Sequence, residues 1–224
     1  MNHLQGVLFD MDGLLVDTEP LWFEVERSVM NRLGGSWTAA DQQALVGGSL
    51  KRTVDYLIGR TERPELGPSF DLVADWLVGG MAERLGSQEI EPLPGAIELL
   101  SAVRDAGVPY ALVTSSERVI AEAVLKALAR YGVGFDVVVC GADVTSPKPD
   151  PEPYLLAASL VGASPRCCVA LEDSPNGVAA ALAAGCVTIA VPGLAPIPER
   201  PGLLIVNSLT RLDLATLRGL VAGA

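Results

Sequence analysis

The reading turns on VLFDMDGLLVD, residues 7–17. Val7–Phe9 is an apolar run of strand length, and it ends in two aspartates, Asp10 and Asp12, followed at once by Gly13. Side chains on a strand alternate faces, so residues i and i+2 point the same way and the two carboxylates are expected close together. Such neighbours do not ionise together cheaply: either one keeps its proton or a cation sits between them. The plainer alternative is a polar turn closing a strand, since Asp and Gly tolerate turn conformations. The rest of the chain has to decide between them.

Further apolar runs of strand length recur at Tyr110–Val113, Val137–Cys140, Cys168–Leu171, Val187–Val191 and Leu203–Val206. Helix-like segments fall between most of them, at Ala96–Ala106, Arg118–Arg130, Glu152–Val161 and Val178–Ala184. Continuously apolar strands alternating with helices predict an α/β fold, a doubly wound parallel sheet covered on both faces. The gap between the first run and the second is far longer than the dozen or so residues a crossover needs. An insertion is therefore expected, with helical apolar spacing in Leu21–Leu33 and Leu72–Leu85 and joints at Gly34-Gly35 and Arg63–Ser69. The predicted organisation is an α/β core of residues 1–17 and 90–224, with a small α-helical cap of residues 18–89 over the carboxyl end of the first strand. Open α/β sheets bind ligands at that end.

Composition removes several function classes. Of 224 residues half are hydrophobic, enough for a sizeable core, and the formal net charge is -11. That charge and the lack of any Lys/Arg cluster argue against a nucleic-acid partner. The single histidine, His3, sits at the amino terminus, which removes Ser-His-Asp and Cys-His catalysis and imidazole zinc sites. Neither a P-loop nor a G-x-G-x-x-G fingerprint occurs. Cys140, Cys167, Cys168 and Cys186 lie in or beside apolar runs without C-x-x-C spacing, and read as buried thiols of a cytoplasmic protein. The start of the chain lacks the basic region and long apolar stretch of a signal peptide. The uncharged stretch Ser174–Pro198 is broken by Pro175, Asn176, Gly177, Gly185 and Pro192, so a buried helix and strand are expected there and no membrane span.

Polar residues gather where the strands end: Asp10 and Asp12 after the first, Thr114-Ser115-Ser116 after the second, Lys148 after the third, and Glu172-Asp173 after the fourth. Taken singly, each has an ordinary explanation. Ser116 fits a helix N-cap, and an acidic pair suits a helix N-terminus. Their joint occurrence at four strand ends predicts a site. Lys148 is one of only three lysines, with Lys51 and Lys126, and Pro147 and Pro149 stiffen the backbone on either side. A structural ion pair is its plain reading, and anion binding the functional one. The set fits phosphoryl transfer. Asp10 and Asp173 are suited to holding Mg²⁺, while Thr114, backbone N–H groups and Lys148 are suited to phosphate oxygens. Of the crowded aspartates, one can attack phosphorus while its neighbour serves as acid and then base.

With DMDGLLVDT (10–18), TSS (114–116), SPKPDPEPY (146–154) and LEDSPNGVAAALAAG (171–185) in this order, the chain resembles the haloacid dehalogenase superfamily of phosphotransferases. The helical insertion looks like the small cap of the group containing β-phosphoglucomutase and sugar-phosphate and phosphoglycolate phosphatases. The resemblance implies a Rossmann-like core, with Asp10 as nucleophile and Asp12 as acid/base with its backbone carbonyl on Mg²⁺. It also implies Thr114 and Ser115 on phosphate, Lys148 as charge clamp, and Asp173 as metal ligand, with Glu172 on the metal or its water shell. Gly13 would permit a mobile flap and Asp17 would organise the hinge. Trp22 and Lys51 are the cap candidates for substrate contact. In β-phosphoglucomutase-like chains the cap offers a basic residue after a G-x-S turn and a histidine after the first motif; here VGGSLKR and EPLWFE put Leu50 and Trp22 at those positions. A Mg²⁺-dependent phosphatase acting on a small phosphate monoester, a sugar phosphate by preference, through an aspartyl-phosphate intermediate is therefore favoured. The alternative is a sugar-phosphate mutase using Lys51 or Arg52 as a second phosphate clamp. A signalling receiver module is disfavoured by the insertion and the D-x-D-G spacing, and a non-catalytic binding protein by the intact motifs. A monomer is expected, with a dimer as the alternative.

Overall fold

The computed structural model describes residues 3–63, 65 and 67–223. Its centre is a six-stranded sheet of β1 (Gly6–Phe9), β2 (Tyr110–Val113), β3 (Val137–Val139), β4 (Cys168–Glu172), β5 (Val187–Ala190) and β6 (Leu203–Ile205). The strands run in the order β3-β2-β1-β4-β5-β6 and every pairing is parallel. The order reverses direction at β1, so its carboxyl end opens into the crevice between two halves of the sheet. Register aligns Phe9 with Leu112 on one side and with Leu171 on the other. The catalytic candidates that follow these three residues therefore emerge side by side.

Alternation divides the strand residues between two faces. Val7, Phe9, Leu112, Val169 and Leu171 join a core with α5 (Ala96–Asp105), α6 (Arg118–Ala129) and α9 (Leu214–Ala222). Leu8, Ala111, Val113, Cys168 and Ala170 pack on the opposite face against α7 (Glu152–Leu160) and α8 (Pro175–Ala183). Burial on both faces explains why the strands read as unbroken apolar runs. All four cysteines are buried thiols, and among the described residues no helix is long and apolar enough to cross a membrane.

Between β1 and α5, among the described residues, lie four α-helices, α1 (Glu19–Arg32), α2 (Ala39–Leu45), α3 (Leu50–Gly59) and α4 (Phe70–Ser87). Thr38 and Asp41 form a reciprocal capping box that starts α2. Ser49 and Ser69 cap α3 and α4 by accepting from the amides of Arg52 and Leu72. Helix α4 packs against α1 and α3 and also against α6, which ties the inserted helices to the sheet layer. The sequence marks α1 and α4 but does not separate α2 from α3, and α9 is missed: its nine residues close the chain without a distinct periodic signal.

Candidate active site

Strand β1 ends at Phe9, so neither aspartate lies in the strand whose alternation would pair them. The Asp10 amide still donates to Leu171 O at 3.0 Å, but the chain then turns, with the Gly13 amide donating to Val16 O at 2.9 Å. Gly13 has φ +78°, and a Cβ there would lie 2.3 Å from Asp173 Oδ2. Both facts demand glycine. Because the turn intervenes, Asp10 and Asp12 do not form a simple i, i+2 pair, and their carboxylates go to different partners.

Asp10 is 7% exposed and joins Glu172 and Asp173, both essentially fully buried, in a group whose ligand oxygens all lie within 4.8 Å of one another. Lys148 enters from the loop after β3, which Glu152 fastens by accepting from the amides of Thr145 and Ser146. Its Nζ donates to Asp10 Oδ1 and Glu172 Oε1, each at 2.6 Å, and to Val113 O at 2.8 Å. An ammonium has three hydrogens, so all are committed. Lys148 therefore acts as a clamp on the carboxylates, and the phosphate-binding role expected for it is not the one this geometry presents.

Asp12 accepts from the hydroxyl of Thr18 and from Trp22 Nε1 (3.5 Å) at one oxygen, and from Ser116 Oγ (2.8 Å) and Thr114 Oγ1 (3.3 Å) at the other. Its side chain is thus outside the metal-capable carboxyl group, leaving only its backbone carbonyl for the metal role expected of it. Ser116 is not a helix cap, because Glu117 occupies that position before α6. It orients Asp12 instead. Thr114 is buried and also accepts from the Ser116 amide, while Ser115 lines the cavity and reaches Gly47 O at 3.5 Å. Lys51 does not converge: it pairs with Asp55 one turn along α3 on an exposed face, and Arg52 donates to Ala44 O. Neither lines the cavity, so the second phosphate clamp that the mutase reading needs is not formed.

Sequence reasoning overlooked Tyr154. Its buried hydroxyl donates to Glu172 Oε1, with Ser174 Oγ donating to Oε2 at 3.3 Å. Glu172 is seated so closely over the start of α8 that a Cβ on Gly177 would lie 1.9 Å from its carboxyl carbon. The PEPY segment held the clue, as a tyrosine six residues beyond a strand-end lysine.

One ammonium cannot neutralise three carboxylates. Burial, then the charge of Glu172, hold Asp10 well above the ordinary carboxyl range against the pull of Lys148. Burial followed by Asp10 and Glu172 does the same to Asp173. Burial alone would depress Lys148, but Asp10 and Glu172 more than offset it and keep the ammonium charged. Asp173 Oδ2 is buried without any hydrogen-bond partner. An all-oxygen group with surplus negative charge and an orphaned carboxylate oxygen fits a hard divalent cation.

Above Asp10 a cavity is lined by Glu19, Trp22, Glu26, Gln42, Val46–Gly48 and Leu50 of the inserted helices and the turn between α2 and α3. The Val46–Gly48 turn is docked on the core, with Asn176 Nδ2 donating to Val46 O at 3.2 Å. Glu19, Trp22 and Glu26 share one face of α1 at helical spacing, a pattern legible in the sequence but not exploited there. Burial, then the charge of Glu19, push Glu26 up to about 8 from an ordinary 4.5. A folded-state pKa above the unfolded one means that the native state keeps a proton the unfolded chain releases between those values, so stability falls as pH rises from 4.5 to about 8. Glu26→Gln should therefore match the parent near the lower limit and be more stable near the upper one, by on the order of a few kcal/mol. Urea unfolding at both ends of the window checks this.

The sequence signature of haloacid dehalogenase-like hydrolases matches residues 7–191. The chain belongs to that family. Hexitol phosphatase A of Escherichia coli (strain K12) is 35% identical over 212 residues, covering 93% of each chain. A phosphorylated carbohydrates phosphatase of Thermotoga maritima is 34% identical over 184 residues, covering 81% of this chain and 82% of that one. Among solved structures, CbbY from Rhodobacter sphaeroides in complex with phosphate superposes with a TM-score of 0.85 at 27% identity, over 96% of this chain and 99% of that one. The protein is an enzyme of the haloacid dehalogenase type, and its matched relatives include phosphatases of sugar and polyol phosphates.

Proposed function

We propose that the protein is a Mg²⁺-dependent phosphatase of a small phosphate monoester, a phosphorylated sugar or polyol, working through a phosphoaspartate on Asp10, with residues 18–89 acting as its cap. The observation that carries this reading is the buried Asp10 carboxylate, clamped by Lys148 beside the unpartnered oxygen of Asp173 at the floor of a capped cavity. Hexitol and carbohydrate phosphatases among the relatives favour the substrate class.

Asp10, Asp173 and the Asp12 backbone carbonyl would hold Mg²⁺, with Glu172 on it or on its water shell. The ion would supply the positive charge that keeps Asp10 ionised and offsets the phosphate. Asp10, its second oxygen held by Lys148, attacks phosphorus in line. The phosphorus–oxygen bond to the alcohol breaks as Asp12 passes a proton to the leaving oxygen. Asp12, now a carboxylate, takes a proton from water as that water attacks the phosphoaspartate, releasing inorganic phosphate and regenerating Asp10. Thr18 and Ser116 hydroxyls can turn to serve either protonation state of Asp12. Thr114, Ser115 and backbone N–H groups after β2 are the groups for the phosphate oxygens. The closed cap keeps bulk water from the intermediate.

Phosphate release from a panel of hexitol, hexose and glycolate phosphates tests the reading. Turnover should appear with Mg²⁺, disappear on thorough chelation, and return when Mg²⁺ is restored. Undiminished turnover in chelator contradicts the metal assignment, and failure on every ester contradicts the phosphatase reading.

A further inference from the structure

The cavity is unusual for an enzyme that handles anions: among the described residues, its lining contains no lysine, arginine or histidine. The polar groups facing Asp10 from the cap are instead Glu19, Trp22, Glu26, Gln42 and Thr53. Glu26 is only 5% exposed, yet its Oε2 has no hydrogen-bond partner. That oxygen is shielded from the cavity, but the side chain lines the cavity wall and no hydrogen bond fixes it; a buried polar group left unpaired costs about 1–3 kcal/mol, so a ligand hydroxyl that pairs the carboxyl is favoured. Trp37 is the only neutral group that draws the Glu26 carboxyl down, and its own Nε1 is likewise left without a full hydrogen bond. Around Glu26 the other polar groups are already fixed: Gln42 Nε2 donates to Glu19 O at 2.7 Å and to Glu19 Oε2 at 3.0 Å. Among the described residues, Glu26 is thus the carboxyl on this wall that no hydrogen bond fixes, flanked by the apolar Leu45, Leu50 and Val78.

We infer that Glu26 is a specificity-determining residue whose carboxyl hydrogen-bonds a hydroxyl on the uncharged body of a polyhydroxylated monophosphate, and that a wall without any cation disfavours substrates carrying a second anionic group. The inference rests on the phosphatase reading and refines its substrate class. A second phosphate placed at the cap would be taken out of water with no cation on the wall to pair it, which is discrimination through an uncompensated buried charge. A hydroxyl-bearing body fits, because a carboxyl held protonated by burial can both donate and accept. An ammonium-bearing ester would need Glu26 ionised and is the competing ligand class.

The experiment compares sorbitol 6-phosphate with ethyl phosphate, which lacks the hydroxyls, for the parent, Glu26→Leu and Glu26→Gln, all with Mg²⁺. Removing a buried hydrogen-bonding partner should lower the ratio of kcat/KM for sorbitol 6-phosphate to that for ethyl phosphate by about 10-fold or more in Glu26→Leu. Glu26→Gln keeps a donor and an acceptor and should recover most of that ratio. The parent should also favour sorbitol 6-phosphate over fructose 1,6-bisphosphate and over glucosamine 6-phosphate. An unchanged ratio in Glu26→Leu means that Glu26 only supports the fold and overturns the inference, as does preference for the bisphosphate or the amine. Calorimetric binding of sorbitol 6-phosphate to Asp10→Asn, with and without the added Glu26→Leu change, judges Glu26 without turnover: weaker binding supports it and equal binding overturns it. A parent that hydrolyses no ester sinks the phosphatase reading while the binding comparison still decides the role of Glu26.

Discussion

Asp10→Asn should lower turnover on every phosphate ester by on the order of 10⁴-fold or more, the scale on which removal of a nucleophile acts. The amide oxygen can still accept from Lys148 Nζ, which lies 2.6 Å from Asp10 Oδ1 in the parent. The variant should therefore stay folded, and a thermal scan beside the rate measurement separates lost chemistry from lost structure. An ester with a good leaving group should not rescue it, because the deficit lies in attack and not in departure. Substantial residual turnover on an aryl phosphate would move the nucleophile elsewhere.

Lys148→Met should do damage of a second kind. Lys148 is 4% exposed and is the one cation bonded to both Asp10 and Glu172. Breaking a buried ion pair from one side typically costs about 3–5 kcal/mol, because the remaining charges are left uncompensated. That is a large part of a total stability of roughly 5–15 kcal/mol. Asp10 can relieve the strain by taking up a proton, and this fixes the sign of the pH dependence. Its folded-state pKa is already raised against the pull of Lys148 and rises further without it, so the variant's deficit should widen as pH rises and narrow toward the acid range. Metal-free thermal unfolding at an acidic and an alkaline pH checks this. A deficit independent of pH would mean that the lysine matters for packing alone.

The sheet was legible because its strands are buried on both faces. Val7–Phe9 and Tyr110–Val113 carry no polar residue to blur the pattern, and the predicted runs fall on β1 to β6 within a residue or two at each end. The inserted helices were less legible. The α2 and α3 segments are short and set off by capping residues, Thr38 and Ser49, that also read as loop. At the site, the sequence identified the residues that follow the strands but not how they pair. Nothing local reveals that Lys148 spends all three hydrogens on Asp10, Glu172 and Val113 O, or that Ser116 reaches Asp12 rather than an amide of α6. Those partners lie far apart in the chain and meet only through the register of β1, β2 and β4. The same holds for Glu26, whose place on the cavity wall depends on how α1 lies over the sheet.

The division of labour between the two aspartates is the centre of this account, and Asp12→Ala tests it most directly. With p-nitrophenyl phosphate and Mg²⁺ the leaving group needs little protonation, so Asp10 should still attack while the missing base slows attack by water. A burst of nitrophenol approaching one equivalent per chain should precede slow turnover, and intact-protein mass spectrometry should find one added phosphoryl group that is absent from the Asp10→Asn, Asp12→Ala double variant. If Asp12→Ala shows neither burst nor added mass while still binding Mg²⁺, the assignment of nucleophile to Asp10 and proton transfer to Asp12 is contradicted.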